Sequence, residues 1–104
     1  GSQQKACSKL SIHPDFNQLL EDGAYIIDVR TSVEFNSGHI KESTNISLDQ
    51  IQSKIEAIKE MNKSIIFCCA SGVRSGQATS IAKARGIESY NGGGWRSLNS
   101  KLNK

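Results

Sequence analysis

The segment Ile65-Ile-Phe-Cys-Cys-Ala-Ser-Gly-Val-Arg-Ser75 holds the residues best placed to do chemistry. It reads as an apolar strand, a short turn containing a thiol, and the start of a helix. Main-chain N–H groups in the first turn of a helix have no intrahelical acceptor. They point toward the centre of the preceding turn, and the helix dipole adds positive potential there. Such a nest favours an anion. A cysteine set in it has a lowered pKa and presents thiolate near neutral pH. Gly72 lets the turn close tightly and admits a positive φ. Arg74 supplies a cation whose planar fork suits oxyanions, and Ser75 is expected to cap the following helix. Strand alternation sends Cys68 and Cys69 to different sides. Cys68 still belongs to the apolar run and reads as a small core residue. Cys69, the first residue outside that run, is the expected reactive thiol. A disulfide between these neighbours would be strained.

The elements around this segment alternate in type. Lys9–Ile12 is a short candidate strand, and Pro14 suits the first position of a helix that carries Phe16, Leu19 and Leu20 inward and stops at Gly23. Ala24–Val29 is an apolar run of strand length, as expected for a strand buried on both faces. Thr31 and Glu34 have capping-box spacing, and so do Ser47 and Gln50. Asn45–Leu48 is a further short strand, and Leu48, Ile51, Ile55 and Ile58 mark the stripe of a helix. After a turn at Met61-Asn62-Lys63 comes the second buried strand, Ser64–Cys68. A helix over Ser75–Arg85 turns Ala78, Ile81 and Ala82 inward and closes at Gly86. Ile87–Tyr90 is the last strand, Gly92-Gly93-Gly94 a loop, and Trp95–Leu102 the final helix. This alternation implies a parallel sheet covered on both faces. In such folds the functional crevice lies beyond the carboxyl ends of the strands.

The chain of 104 residues is 37% hydrophobic and 22% charged with one Pro, which excludes a disordered or Pro-rich chain. No apolar run reaches the ~20 residues of a membrane helix, and a net charge of +3 does not argue for nucleic acid. Gly1-Ser2 reads as a cloning scar, residues 1–8 as a flexible leading segment containing Cys7, and residues 9–104 as one domain. Three Cys form no disulfide framework, and with two isolated histidines, His13 and His39, they show no metal-site spacing. Reduced thiols suit the cytoplasm, whereas an export signal removed before the scar would leave this same chain. A monomer is expected of a small domain with no spare apolar helix face.

Asp28-Val-Arg30-Thr31, Glu34-Phe35, Gly38-His39-Ile40, the Cys69–Arg74 loop and Asn91-Gly-Gly-Gly-Trp95 agree in order and spacing with one family. From about Leu10 to Leu102 the chain resembles the rhodanese (sulfurtransferase) domain, in its single-domain form. The resemblance implies a three-layer α/β/α fold around a five-stranded, mainly parallel sheet. It implies a catalytic Cys69 in a six-residue loop from Cys69 to Arg74. The expected chemistry moves a sulfane sulfur from thiosulfate or a similar small anionic donor to cyanide or a thiol through a Cys69 persulfide, with ping-pong kinetics. No metal, cofactor or dedicated general base is needed if main-chain dipoles keep the thiol ionised. The amides of Ala70, Ser71, Gly72, Val73, Arg74 and Ser75 are the expected cradle, with Arg74 either contacting the donor or clamping the loop to an acid. Asp28 and Arg30 either orient the loop or form a structural ion pair. His39 reads as structural, and Trp95 as pocket wall or core. Lys83 and Arg85 suit the end of their helix.

Two other readings use the same residues. Cys68 and Arg74 fit the C-x5-R pattern of small phosphatases and arsenate reductases, whereas C-x4-R from Cys69 is the shorter loop that encloses a single sulfur. A persulfide carrier serving a protein acceptor, or a regulatory binding module, would use the same domain.

Overall fold

The computed structural model describes residues 15–102. The expectations for Cys7, Lys9–Ile12, His13 and Pro14 therefore lie outside the described residues. The elements are α1 (Phe16–Glu21), β1 (Tyr25–Asp28), α2 (Ser32–Asn36), β2 (Thr44–Asn45), α3 (Leu48–Glu60), β3 (Ile65–Cys69), α4 (Val73–Ala84), β4 (Ser89–Gly94) and α5 (Trp95–Lys101). Four strands form one sheet in the order β2-β1-β3-β4, and every pairing is parallel. Among the described residues this corrects the five-stranded, mainly parallel sheet to four strands, all parallel. The expected fifth strand, Lys9–Ile12, is among the residues not described.

Both faces of the sheet are covered, as the uninterrupted apolar strands require. Ile27, Val29, Ile65, Phe67 and Cys69 face one layer, against Ile51, Ile55 and Ile58 of α3 and Ala78 and Ala82 of α4. Ile81 packs at the margin of that layer. Ala24, Ile26, Ile66 and Cys68 face the other layer, against Leu98 of α5 and Phe16, Leu19 and Leu20 of α1. The strict alternation along β3 places the two cysteines on opposite faces. Each fully buried isoleucine contributes on the order of 1.5–3 kcal/mol relative to an exposed one.

Several element ends differ from expectation. Strand β3 includes Cys69, because Cys69 pairs with Gly94 of β4. Gly92-Gly93-Gly94 is the end of β4 rather than a loop. The β3–β4 register runs Phe67↔Asn91 and then Cys68↔Gly93, which leaves Gly92 as a bulge. A Cβ on Gly92 would lie 2.8 Å from Leu98 Cδ2 and 3.0 Å from the Phe67 carbonyl oxygen. Beside Gly94 a Cβ would meet the Ala70 carbonyl oxygen at 2.8 Å. Gly92 and Gly94 thus lie where a side chain would collide with α5, β3 or the loop after it, whereas Gly93 has open space beside it and a positive φ of 83°.

Helix ends follow local chemistry with two exceptions. The capping box of α2 forms: Glu34 N–H donates to Thr31 Oγ1 at 3.3 Å, and Thr31 N–H donates to Glu34 Oε1 at 3.0 Å. At α3 Ser47 is the cap residue, but its hydroxyl donates to Asp49 Oδ1 at 2.6 Å and makes no cap bond. Strand β2 accordingly ends at Asn45, short of Leu48. At α4 the cap is Gly72, left-handed with φ 105°, so Ser75 lies in the first turn rather than capping it. Arg85 closes α4 and pairs with Glu56 of α3; Lys83 sits in the last turn.

Gly92→Ala should cost about 1–3 kcal/mol by overpacking. A lowered urea midpoint with an unchanged slope is the expected result. An unchanged midpoint would mean that Leu98 and β3 yield freely, contrary to this packing.

Candidate active site

The parallel pairing brings the carboxyl ends of β1, β3 and β4 to one edge of the sheet, where Asp28, Cys69 and Gly94 terminate their strands. The turn from Cys69 into α4 is short enough to fold the helix start back over the thiol. Cys69 Sγ accepts the Gly72 amide at 2.9 Å and the Ser75 amide at 3.3 Å. The Ser75 hydroxyl lies 3.3 Å from the same sulfur. Cys69 and Ser75 are both fully buried, while Ala70, Ser71 and Val73 are exposed around them.

The ionisation of the two thiols diverges. Burial pushes the Cys69 thiol up, but the Ser75 hydroxyl and the amides of Ser75, Gly72 and Ser71 outweigh it, so the net shift is downward. Donors aimed at the sulfur replace the water that a thiolate loses on burial. Cys68 has no such donors. Burial, and next the Asp28 carboxylate, push its thiol up to about 12. The C-x5-R spacing therefore begins at a thiol facing the α1/α5 layer, whereas the amides gather on the thiol of the C-x4-R spacing.

Arg74 is tied down. Its Nη1 donates to Glu34 Oε1 at 2.8 Å and its Nη2 to Glu34 Oε2 at 3.0 Å. The hydrogen bonds from Arg74, followed by the Thr31 amide, hold the Glu34 carboxyl down to about 2. One carboxylate thus completes the α2 capping box and clamps the first turn of α4. Glu34 stood in the sequence as a capping residue, and its second partner comes from 40 residues downstream. No local signal marks that pairing.

Asp28 and Arg30 form a buried, forked ion pair. Arg30 Nε reaches Asp28 Oδ1 at 2.9 Å and Nη2 reaches Oδ2 at 2.7 Å. The rest of the guanidinium donates to the Gly38 carbonyl at 2.7 Å and the Glu34 carbonyl at 3.2 Å. These bonds hold the middle of α2, the helix that presents Glu34, and the chain just beyond its C-cap. Trp95 lies 4.9 Å beneath the Arg30 guanidinium and packs with the α1/α5 layer, so it belongs to this support. His39 stacks on Phe35, and its Nδ1 bonds the Phe35 carbonyl at 2.8 Å. In the sequence Asn91 marks only the start of a glycine motif. It touches both Ser75 and Gly72.

Two outcomes follow from this geometry. Titration by ultraviolet thiolate absorbance, corrected with Cys69→Ser, should place Cys69 below the ordinary thiol range, with Cys68 silent until strongly alkaline pH. The reverse order would contradict the assignment of the amides. The depressed Glu34 group adds stability above its ordinary pKa of 4.5, and that gain is lost as pH falls from there toward about 2. The wild type should therefore exceed Glu34→Gln in unfolding midpoint at neutral pH and converge with it near pH ~2. Parallel curves across this range would show that the carboxylate does not make the clamp.

The comparisons with known proteins agree on one family. The Rhodanese-like domain profile matches residues 13–101. The uncharacterized protein YqhL of Bacillus subtilis is 36% identical over 81 residues, 76% of this chain and 64% of its own length. A rhodanese from E. coli, solved with anions, superposes with a TM-score of 0.65 at 29% identity, covering 71% of this chain and 89% of that one. A human single-domain sulfurtransferase superposes with a TM-score of 0.67 at 26% identity, covering 86% of this chain and 94% of that one. The chain spans less than two thirds of the length of the curated relatives matched first, 64% in one case and 17% in another. With a matching profile over residues 13–101 and an α/β fold shared with a solved rhodanese, this chain belongs to the rhodanese-like domain family.

Proposed function

We propose that the domain is a sulfurtransferase that carries a sulfane sulfur on Cys69. The observation that carries this reading is the set of donors on one buried sulfur: the Gly72 and Ser75 amides and the Ser75 hydroxyl at the start of α4. Kinship with proteins named as sulfurtransferases supports it.

The thiolate of Cys69 attacks the outer sulfur of thiosulfate or a similar donor. A new S–S bond forms at Sγ while the donor's S–S bond breaks, and its electron pair leaves with sulfite or an equivalent group. The domain then holds a persulfide whose negative charge rests on the outer sulfur. Cyanide or a thiolate attacks that sulfur, and the pair in the enzyme's S–S bond returns to Sγ. Two half-reactions with a covalent intermediate give ping-pong kinetics. The amides of Ala70 through Ser75 are the proposed cradle for the anionic sulfur, acting as preorganised dipoles. Arg74, engaged at both nitrogens by Glu34, serves as the loop's clamp in this reading. Asp28 and Arg30 orient α2 behind it.

Intact mass spectrometry after incubation with thiosulfate tests the proposal. The protein should gain the mass of one sulfur atom and lose it on adding cyanide. Cys69→Ser should gain nothing, and Cys68→Ser should behave as wild type. No adduct from thiosulfate, a polysulfide or an alkyl persulfide would overturn the reading. An adduct that survives in Cys69→Ser and vanishes in Cys68→Ser would move the chemistry to the other thiol. Transfer of the label to a protein acceptor but not to cyanide would identify a carrier.

A further inference from the structure

Asn91 of β4 is bonded at two points to the segment around the sulfur and at a third to its own strand. Its Oδ1 accepts the Ser75 hydroxyl at 2.6 Å and the Gly93 amide at 2.9 Å, and its Nδ2 donates to the Gly72 carbonyl at 3.1 Å. Gly76 leaves room for this amide, since a Cβ there would stand 3.2 Å from Nδ2. Gly72 and Ser75 both place donors on Cys69 Sγ. The Ser75 hydroxyl lies between two acceptors, Asn91 Oδ1 at 2.6 Å and Cys69 Sγ at 3.3 Å, and it has a single proton. Ser75 is fully buried, so solvent offers no third partner.

We propose that Asn91 is a positioning residue of the sulfur site: it holds the Ser75 hydroxyl proton while the Cys69 sulfur is uncharged and yields it when that sulfur becomes a thiolate. With Cys69 as a thiol, S–H donates to Ser75 Oγ and O–H donates to Asn91 Oδ1. With Cys69 as a thiolate, the hydroxyl rotates and donates to Sγ, while Oδ1 keeps the Gly93 amide. Ionisation releases the S–H proton to solvent, and the rotation itself only moves the Ser75 hydrogen from Oδ1 to Sγ. The place of the switch in a reaction cycle rests on the persulfide chemistry proposed above. Once the outer sulfur carries the charge, Sγ is neutral and the hydroxyl returns to Asn91. When sulfur is handed on, the charge reappears on Sγ and the hydroxyl follows it.

The sign of the effect follows. Asn91 competes with the thiolate for one proton, so removing it should favour the thiolate. Asn91 is uncharged, so the charged groups near the sulfur keep their number: Arg74 with Glu34, and Asp28 with Arg30 beyond Cys68. The Gly72 carbonyl retains a partner without Asn91, because the Gly76 amide donates to it at 3.0 Å.

A double-mutant cycle read by thiolate absorbance tests this, each protein being corrected with its own Cys69→Ser version. Asn91→Ala should lower the Cys69 pKa by about half a unit to one unit. Ser75→Ala should raise it. In the Ser75→Ala background Asn91→Ala should change nothing, which a merely structural role would not produce. Equal shifts in both backgrounds, no shift in either, or an upward shift with Ser75 present would overturn the proposal. Melting midpoints establish that each variant folds, and Asn91→Leu repeats the cycle if alanine loosens β4. A wild type that takes up no sulfur would sink the proposed function, and the titration cycle would still decide the role of Asn91.

Discussion

A thiolate can be buried only where fixed donors replace the water it gives up. The rest of this domain is arranged around that requirement at Cys69. Strand β3 brings the sulfur to the edge of the sheet with no exposed surface. The helix that follows begins within a few residues, so its free amides face back toward the strand it came from. Gly72 makes this reversal possible by capping α4 in a left-handed conformation with φ 105°. A side chain there would be strained on its own backbone, and its Cβ would sit 3.3 Å from Gly93 Cα. The close passage of β4 and the tight turn are therefore one constraint seen from two sides.

Donors of this kind work only if they cannot relax away, and the support for them runs across the sheet. The buried Asp28–Arg30 pair takes its remaining bonds from the Glu34 carbonyl within α2 and the Gly38 carbonyl just beyond it. Buried charges are tolerated when every polar atom is used, and here the guanidinium also lies over Trp95. With α2 fixed, Glu34 is held where it can reach Arg74 in the first turn of α4. The path from β1 to the sulfur thus passes through two ion pairs, of which only the first is buried. Losing a buried pair member leaves an uncompensated charge, costing about 3–5 kcal/mol. The outer pair is partly exposed and screened, so its contribution lies in geometry.

The layers were legible because both faces of a parallel sheet must be apolar. Tyr-Ile-Ile-Asp and Ile-Ile-Phe-Cys-Cys announce themselves, and the helical stripe Ile51, Ile55, Ile58 does the same. Alternation makes it legible that Cys68 and Cys69 face opposite layers, but it does not say which thiol reacts, and Cys69, expected just outside the strand, is the last residue of β3. What escaped was set by distant partners. The glycine triplet reads as a loop because glycine is poor in strands, yet it ends β4, with Gly92 and Gly94 placed where a Cβ would collide and Gly93 at a positive φ. Ser75 reads as a cap because serine commonly is one, but the left-handed Gly72 moves the helix start and leaves the serine hydroxyl for the sulfur. The roles of Glu34 and Asn91 depend on contacts with residues 40 and 16 positions away, which no local pattern encodes.

Arg74 is occupied by Glu34, Arg30 is occupied by Asp28, and Ala70, Ser71, Gly72 and Val73 are neutral. The donors on the sulfur are the Ser75 hydroxyl and main-chain dipoles at one helix start, and the potential they set up is local. Such potential fades within about a turn of helix, whereas a free guanidinium would act across a Debye length of ~8 Å. A field that short acts on the atom attached to Cys69 far more than on the body of an approaching donor. On the proposed chemistry, the domain would stabilise the sulfur it holds and be comparatively indifferent to the charge of the molecule that delivered it. Neutral and singly charged sulfane donors would then lose little against a dianion.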